Sequence, residues 1–129
     1  MEQQTELEFI PYEQALELKK LGFDDYCYGF YGHDNLLYRY GNANDIVKDD
    51  KTYSLAPLYQ QAFRWFRDKK LSDGSVSRHG DANGGYSYRW DIVHEYGVYE
   101  ERHFKKGYKT YEEAELYCIK QLIEILKNK

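Results

Sequence analysis

The sequence predicts an α+β fold: an antiparallel sheet of about four strands, with two or three helices packed mainly on one face. Three observations predict it. Apolar residues recur at helical spacing in three segments, large and polar residues alternate in an extended segment, and turn residues separate two aromatic runs. Of the 129 residues, 42% are hydrophobic and 18% aromatic, which suits one folded domain and excludes a disordered chain. We therefore expect a single domain over residues 1–129.

The first helix is expected over residues 11–21. Pro11 suits the first helical position. The apolar face of the helix is formed by Ala15, Leu16 and Leu18. Gly22 can adopt the left-handed backbone of a Schellman motif, so we expect the helix to end there, with Phe23 packed back on Leu18.

A β-hairpin is expected next. Two aromatic-rich runs, 26–31 and 36–40, flank the turn residues 32–35. Residues 41–54 are rich in Gly, Asn and Asp and have no sustained period. They are predicted to form a loop with at most one irregular strand.

The second half of the chain begins with a helix and continues in strands. Pro57 opens a helix that runs to about Lys69 with a broad apolar face. Residues 75–79 fit an edge strand, and the residues near 98–104 are expected to pair with the strand described next. The clearest strand covers residues 86–93, where a period of two places its large apolar side chains on one face. Those side chains are Tyr86, Tyr88, Trp90 and Ile92.

The last helix has the clearest start signal. Thr110 followed by Glu113 is the pattern of a capping box, and helical spacing continues to about Lys127. The apolar face expected for this helix is Ala114, Tyr117, Cys118, Leu122 and Ile125. Cys118 is interpreted as a small core residue, and Cys27 as a second free, buried thiol.

Charge and motif patterns exclude several classes of function. The net charge of −4 disfavours a protein whose affinity comes from neutralising many phosphates. No run reaches the roughly 18 to 20 apolar residues that span a bilayer, and the start of the chain is polar and acidic, so a cytoplasmic location is expected. The glycines at 80, 84 and 85 lack the spacing of a phosphate-binding loop. No cofactor is therefore expected.

Candidate catalytic and metal-binding residues all have simpler explanations. Asp34 could orient His33 for general-base catalysis, but a hairpin turn favours Asp on hydrogen-bonding grounds alone. Cys27 with a histidine would be the route to thiol chemistry, and no spacing selects such a pair. A metal could be held if His79, Asp81, His94 and His103 converged. Their spacing matches no ligand motif, so no metal and no catalytic residue are predicted.

Three blocks of the sequence carry a resemblance. They are residues 9–16 with 21–24, residues 56–67, and residues 110–115. Together they resemble a group of short proteins encoded by Bacteroidetes-type bacteria, their prophages and their phages. That group has no assigned activity, so the resemblance implies genomic company and transfers no functional residue.

Protein binding is the function that the sequence favours. The 15 tyrosines combine a large apolar body with a hydroxyl, which suits an interface on an open sheet face. The candidate partner-binding residues are Tyr28, Tyr38, Tyr40, Tyr86 and Tyr88, and the expected partner is a host or phage protein. The alternative is nucleic-acid or nucleotide binding through the basic second helix and its surroundings. Its candidate residues are Arg64, Arg67, Lys70 and Arg78. A small enzyme is the third and least favoured alternative.

Overall fold

The computed structural model describes residues 8–80, 82–96 and 99–128. Within them the fold is α+β, with four helices and six strands in two three-stranded antiparallel sheets. The elements are α1 (Tyr12–Lys20), β1 (Gly29–Tyr31), β2 (Leu37–Arg39), α2 (Ala43–Asp49), β3 (Ser54–Leu55), α3 (Tyr59–Lys70), β4 (Ser72–Gly80), β5 (Tyr86–Tyr96), β6 (Tyr99–Tyr108) and α4 (Tyr111–Lys127). The predicted antiparallel α+β class is confirmed, and the expected single sheet of about four strands is replaced by two sheets of three.

The chain divides into two compact units, one up to Ala62 and one from Phe63 onward. We call them the first unit and the second unit. Each unit contains one of the two sheets, with order β2-β1-β3 in the first and β4-β5-β6 in the second. The sequence prediction of a single domain over residues 1–129 stays a prediction.

Helix α1 ends as the sequence predicts. Gly22 has a φ of +96°, its N–H donates to the carbonyl of Lys19 at 3.1 Å, and the N–H of Phe23 donates to the carbonyl of Leu18 at 3.0 Å. This pair of hydrogen bonds is the Schellman motif. Pro11 is the N-cap residue rather than the first residue of the helix.

Residues 41–54 are not the predicted loop. They form α2 and the short strand β3, which pairs with β1 opposite the hairpin strand β2. The side chain of Asn44 holds α2 in place, because its Oδ1 accepts the N–H of Cys27 at 2.8 Å and its Nδ2 donates to the carbonyl of Asp25 at 2.9 Å. A helix fixed by one polar side chain needs no apolar stripe, so a search for periodicity misses it.

Helix α3 begins two residues after Pro57. The side-chain Oε1 of Gln61 accepts the N–H of Leu58 at 2.8 Å, which satisfies a backbone donor at the start of the helix. The aromatic face expected from the sequence is buried at Phe63, Trp65 and Phe66. The predicted helix is therefore confirmed, with its start shifted to Tyr59.

The second sheet contains the three long strands. The expected edge strand 75–79 is the middle of β4, which lies at one edge of the sheet, and β5 contains the predicted strand 86–93. The predicted partner strand near 98–104 is part of β6, although Val98 lies outside the described residues. All strand pairs are antiparallel, with one register shift next to Tyr88.

Helix α4 packs on one face of this sheet, against β4 and β5. The predicted face is confirmed at Trp90 and Ile92, which are buried. Gly74 in β4 permits the close approach of the helix, because a Cβ atom there would lie 3.0 Å from both Cys118 Sγ and Leu122 Cδ1. At the start of the helix, Thr110 Oγ1 accepts a hydrogen bond from the backbone N–H of Glu113, as the capping pattern predicts.

Two residues assigned to the apolar face of α4 are not in the core. Tyr117 is 44% exposed and Ile125 is half-buried, whereas Cys118 and Leu122 are buried. The buried face of the helix is centred further round its axis and includes Ile119 and Ile123, so Tyr117 and Ile125 lie at its margin.

Candidate functional site

The clearest surface feature of the second unit is a row of four side chains in contact, which we call the aromatic row: Arg78, Tyr86, Tyr88 and Tyr111. The guanidinium carbon of Arg78 lies 4.9 Å from the ring centre of Tyr86. The rings of Tyr86 and Tyr88 meet edge to face with their centres 6.1 Å apart. The rings of Tyr88 and Tyr111 also meet edge to face, with their centres 5.9 Å apart. Such contacts fix the side chains before any partner arrives.

Secondary structure brings the row together. Arg78 is the direct register partner of Tyr88 across β4 and β5, and Tyr86 is its diagonal neighbour. Tyr86 and Tyr88 are two positions apart in β5 and therefore point to the same face. Tyr111 is the first residue of α4, whose start is fixed by the cap at Thr110.

The aromatic row is open to solvent. Tyr86 is 60% exposed and Tyr111 is 38% exposed, while Arg78 is exposed and Tyr88 half-buried. It unites two predicted partner-binding tyrosines with one arginine of the nucleic-acid alternative. Sequence analysis missed Tyr111, because its spacing from the strands gives no sign that the helix start lies beside them.

A second group of aromatic and basic side chains lies near the row. Tyr108 is the register partner of Tyr88, its ring stacks on Tyr117 at 5.3 Å, and the Nζ atom of Lys120 lies 4.7 Å from the ring centre of Tyr117. Tyr108 itself is buried, and its hydroxyl accepts a hydrogen bond from the Trp90 indole N–H at 3.0 Å. Within this group Tyr117 is exposed and Lys120 is half-buried.

The other three predicted tyrosines lie in the first unit. Tyr38 stacks on Phe30 at 5.5 Å and donates its hydroxyl to Asp34 at 2.6 Å. This hydrogen bond raises the pKa of Tyr38 and lowers the pKa of Asp34. Tyr28 and Tyr40 flank the hairpin and are exposed. The five candidate tyrosines do not share one sheet face, because Tyr38 lies in the first sheet and Tyr86 and Tyr88 lie in the second.

The basic residues of the alternative function all lie in the second unit. Arg64 and Arg67 are exposed on α3, and Arg67 is within 3.5 Å of the carboxylate of Asp68. The Nζ atom of Lys70 lies 5.3 Å from the ring centre of Trp65, so its stem packs on that ring. Arg78 is the residue of this set that contacts an exposed aromatic ring.

The turn histidine does not pair with the aspartate beside it. The Nε2 atom of His33 lies 3.0 Å from Asp50 Oδ2 and 3.1 Å from Thr52 Oγ1. Asp34 instead accepts from Tyr38 and from the N–H of Leu36. A catalytic relay needs the carboxylate and the hydroxyl at opposite ring nitrogens. Here the Thr52 hydroxyl lies closer to Nε2 than to Nδ1, which is 3.4 Å away, and it donates to the Asp50 carboxylate itself at 2.6 Å.

Neither cysteine has the surroundings of a nucleophile. Both Cys27 and Cys118 are free and fully buried. Burial raises the pKa of Cys27 to about 12, and Asp25 adds to the shift. The pKa of Cys118 is also raised by burial. A buried thiol of raised pKa carries almost no thiolate at neutral pH and is chemically inert.

The second unit also contains a cavity of about 610 Å³, next to the described end of α4. It is lined by polar side chains that include His94, His103, Glu101, Gln121 and Glu124. The Nε2 atom of His103 is shielded from solvent and lies 3.3 Å from Glu101 Oε1, close enough for an ion pair but without the geometry of a hydrogen bond.

The structure describes three of the four residues that the sequence offered as metal ligands, namely His79, His94 and His103. His94 is buried and hydrogen-bonded to Ser72, and His79 contacts Ser77, while Asp81 lies outside the described residues. In residues 8–80, 82–96 and 99–128, no three His, Cys, Asp or Glu side chains are placed to hold a metal ion. Across the same part of the chain, no helix combines the length and apolarity needed to cross a membrane.

The comparisons with known proteins supply no relative. No protein-family model, curated protein or solved structure matches this chain.

Proposed function

We propose that this protein acts by binding another protein through the aromatic row. The observation that carries the proposal is the continuous contact from Arg78 through Tyr86 and Tyr88 to Tyr111 on an exposed surface. Tyr and Arg are the side chains most enriched at the energetic centres of protein interfaces. The resemblance to proteins of Bacteroidetes-type bacteria and their phages suggests a host or phage protein as the partner.

The geometry of the row supports binding with a low entropic cost. Each ring already touches a neighbour, so little rotamer freedom remains to be lost when a partner covers it. The exposed Tyr86 has a hydroxyl and the exposed Arg78 has a guanidinium, and both groups can form hydrogen bonds with a partner. A surface of this kind favours a partner that offers carboxylates or backbone carbonyls beside an apolar patch.

Affinity capture with matched variants tests the proposal. Tagged wild-type protein, Tyr86→Ala and Tyr26→Ala would be incubated with nuclease-treated host lysate, and bound proteins quantified by mass spectrometry. Tyr26 is a suitable control because it is 53% exposed and contacts a tyrosine edge to face, but it lies in the first unit. We expect a partner that wild type and Tyr26→Ala retain and that Tyr86→Ala loses. Equal capture by all three proteins would contradict a role of the row.

A second candidate is binding of single-stranded nucleic acid by the same unit. The supporting observation is the stacking of Arg78 on the exposed ring of Tyr86, since single-strand binding proteins combine aromatic platforms with cationic side chains. The exposed Arg64 and Arg67 would supply further phosphate contacts. The net charge of −4 works against this function.

Fluorescence anisotropy with a labelled oligothymidine tests this candidate. Binding that weakens steeply with salt, and that the double variant Arg64→Ala/Arg67→Ala loses, would support it. Absence of binding at low salt would eliminate it. The capture experiment separates the two candidates, because a nuclease-resistant partner belongs to protein binding alone.

A further inference from the structure

Strand β6 forms an edge of the second sheet. The strand order is β4-β5-β6, so β6 pairs with β5 on one side, and within the described part of the chain no strand pairs with its other side. Its ten residues make a long edge, and α4 packs mainly over β4 and β5. An edge of this length presents a row of backbone donors and acceptors that another strand can pair with.

The charges along β6 change sign from one end to the other. Glu100 and Glu101 lie near its start, and Lys105 and Lys106 lie near its end; all four are exposed. Glu100 pairs with Arg102 at 2.7 Å. In the described residues, no carboxylate lies within ion-pair distance of Lys105 or Lys106. A strand with acidic and basic halves is complementary to an antiparallel copy of itself.

We propose that two copies of this chain associate through β6, antiparallel, about a two-fold axis at His103. This register places Glu100 opposite Lys106 of the second copy, and Glu101 opposite Lys105 of the second copy. Residues directly opposite each other in antiparallel strands point to the same face, so the two side chains of each pair lie side by side. Both halves of the strand therefore meet the opposite charge.

The same register accounts for an exposed aromatic ring. Phe104 is 60% exposed, and the guanidinium carbon of Arg89 lies 4.5 Å from its ring centre. Phe104 lies opposite Arg102 of the second copy in the proposed dimer. A second guanidinium would then cover the ring, which adds an apolar and cation–π contribution to the ion pairs.

The backbone supplies the remaining contacts. Antiparallel pairing over residues 100–106 forms about six to eight hydrogen bonds, because every second residue of each strand exchanges both of its bonds with the partner. The second sheets of the two copies then form one continuous six-stranded sheet. Glu100 already pairs with Arg102, and Glu101 lies 3.3 Å from His103. Both carboxylates are exposed, and exchanging one ion pair for another at the surface costs little.

Charge reversal tests the inference by sedimentation equilibrium of the full chain at low salt. We expect wild type to have twice the 15.5 kDa chain mass. Glu100→Lys/Glu101→Lys and Lys105→Glu/Lys106→Glu should each be monomeric, because like charges then face each other. An equimolar mixture of the two variants should return to the dimer mass, because all four opposed pairs are again of opposite sign.

A control with the same change of charge separates position from net charge. Asp24→Lys/Asp49→Lys alters two exposed carboxylates of the first unit and should stay dimeric. A wild type that is monomeric at high micromolar concentration would overturn the inference. A dimer that both charge reversals leave intact would overturn it as well.

A second measurement uses only wild-type chains, so it does not depend on the folding of a variant. A carbodiimide would be added to a mixture of ¹⁴N- and ¹⁵N-labelled protein, and the crosslinked peptides identified by mass spectrometry. We expect mixed-isotope crosslinks that join Glu100 to Lys106 or Glu101 to Lys105. Their absence would overturn the inference. The result is independent of the aromatic row, so failure here leaves the proposed function untouched.

Discussion

The two sheets of this protein are built alike and stabilised differently. The strands of the first sheet have three, three and two residues, whereas those of the second have nine, eleven and ten. The first unit has an apolar core that includes Phe9 and Leu18. It adds single polar side chains that bond to distant backbone groups, as Asn44 does with Cys27 and Asp25. The second unit relies on a long ladder and an apolar layer beneath α4.

This difference determines how each unit responds to substitution. An apolar layer loses stability in proportion to the volume removed or forced into it. A polar anchor loses stability when a buried donor or acceptor is left without a partner. Both tryptophans, Trp65 and Trp90, belong to the second unit, so tryptophan fluorescence reports the unfolding of that unit.

The largest effect is expected for Leu122→Ala in α4. Leu122 is fully buried against the second sheet, and its truncation removes apolar contacts and leaves a cavity. The free energy of unfolding should fall by about 2–5 kcal/mol, measured by urea titration of tryptophan fluorescence. The control is Leu71→Ala, which removes a leucine of the same unit that is 60% exposed and should change stability by at most about 0.5 kcal/mol. Similar losses for both would contradict a core beneath α4.

A smaller effect is expected when the same layer is overfilled. Gly74→Ala places a Cβ atom 3.0 Å from Cys118 Sγ and Leu122 Cδ1. The free energy of unfolding should fall by about 1–3 kcal/mol. Gly80→Ala on the same strand is the matched control, because its Cβ atom would meet only an atom 3.9 Å away. A destabilisation of Gly80→Ala as large as that of Gly74→Ala would mean that strand conformation, not the approach of α4, requires the glycine.

In the first unit the corresponding experiment removes a polar anchor. Asn44→Ala leaves the N–H of Cys27 without its side-chain acceptor and removes one of the two donors to the carbonyl of Asp25. The local loss should be about 1–3 kcal/mol, seen as faster hydrogen exchange of the Cys27 amide. Asn42→Ala is the control, since that side chain contacts only the carboxylate of Asp45 among the described residues. Unchanged exchange in Asn44→Ala would show that α2 is held by other contacts.

The same contrast explains what the sequence could predict. Helical spacing, the Schellman glycine and the cap at Thr110 led to α1, α3 and α4, because each depends on residues close together in the chain. The period of two led to β5 and its buried face. Helix α2 was missed because its anchor, Asn44, bonds to residues 17 to 20 positions away, and no local pattern encodes such a partner.

The candidate site was predictable to a similar extent. The sequence identified Tyr86, Tyr88 and Arg78 as surface candidates, and the structure brings these three into contact. It did not identify Tyr111, and it grouped Tyr28, Tyr38 and Tyr40 with a sheet to which they do not belong. Residue type indicates what a side chain can do, whereas strand pairing decides which side chains meet, and pairing depends on contacts that are distant in sequence.

The smallest expected effect is a change in the pKa of Asp50, which contacts the turn histidine His33 in the first unit. Asp50 accepts hydrogen bonds from the hydroxyl of Thr52 at 2.6 Å and from its N–H at 3.0 Å, and it also contacts His33. These contacts lower the pKa of Asp50 from its usual 3.8 to about 2. Because the folded-state pKa is the lower one, the stability that Asp50 contributes is present above pH 3.8 and is lost as the pH falls toward 2.

Carbonyl NMR titration of this carboxylate checks the assignment. In Thr52→Ala the largest cause of the shift is removed, so the pKa of Asp50 should rise toward its usual value. Thr52→Ser keeps the hydroxyl and should leave the pKa low. If Thr52→Ala titrates like wild type, the hydroxyl does not set this pKa and the contact with His33 becomes the main cause. A shift carried by Thr52 means that the hydroxyl is the main determinant of this pKa and that the contact with His33 contributes less.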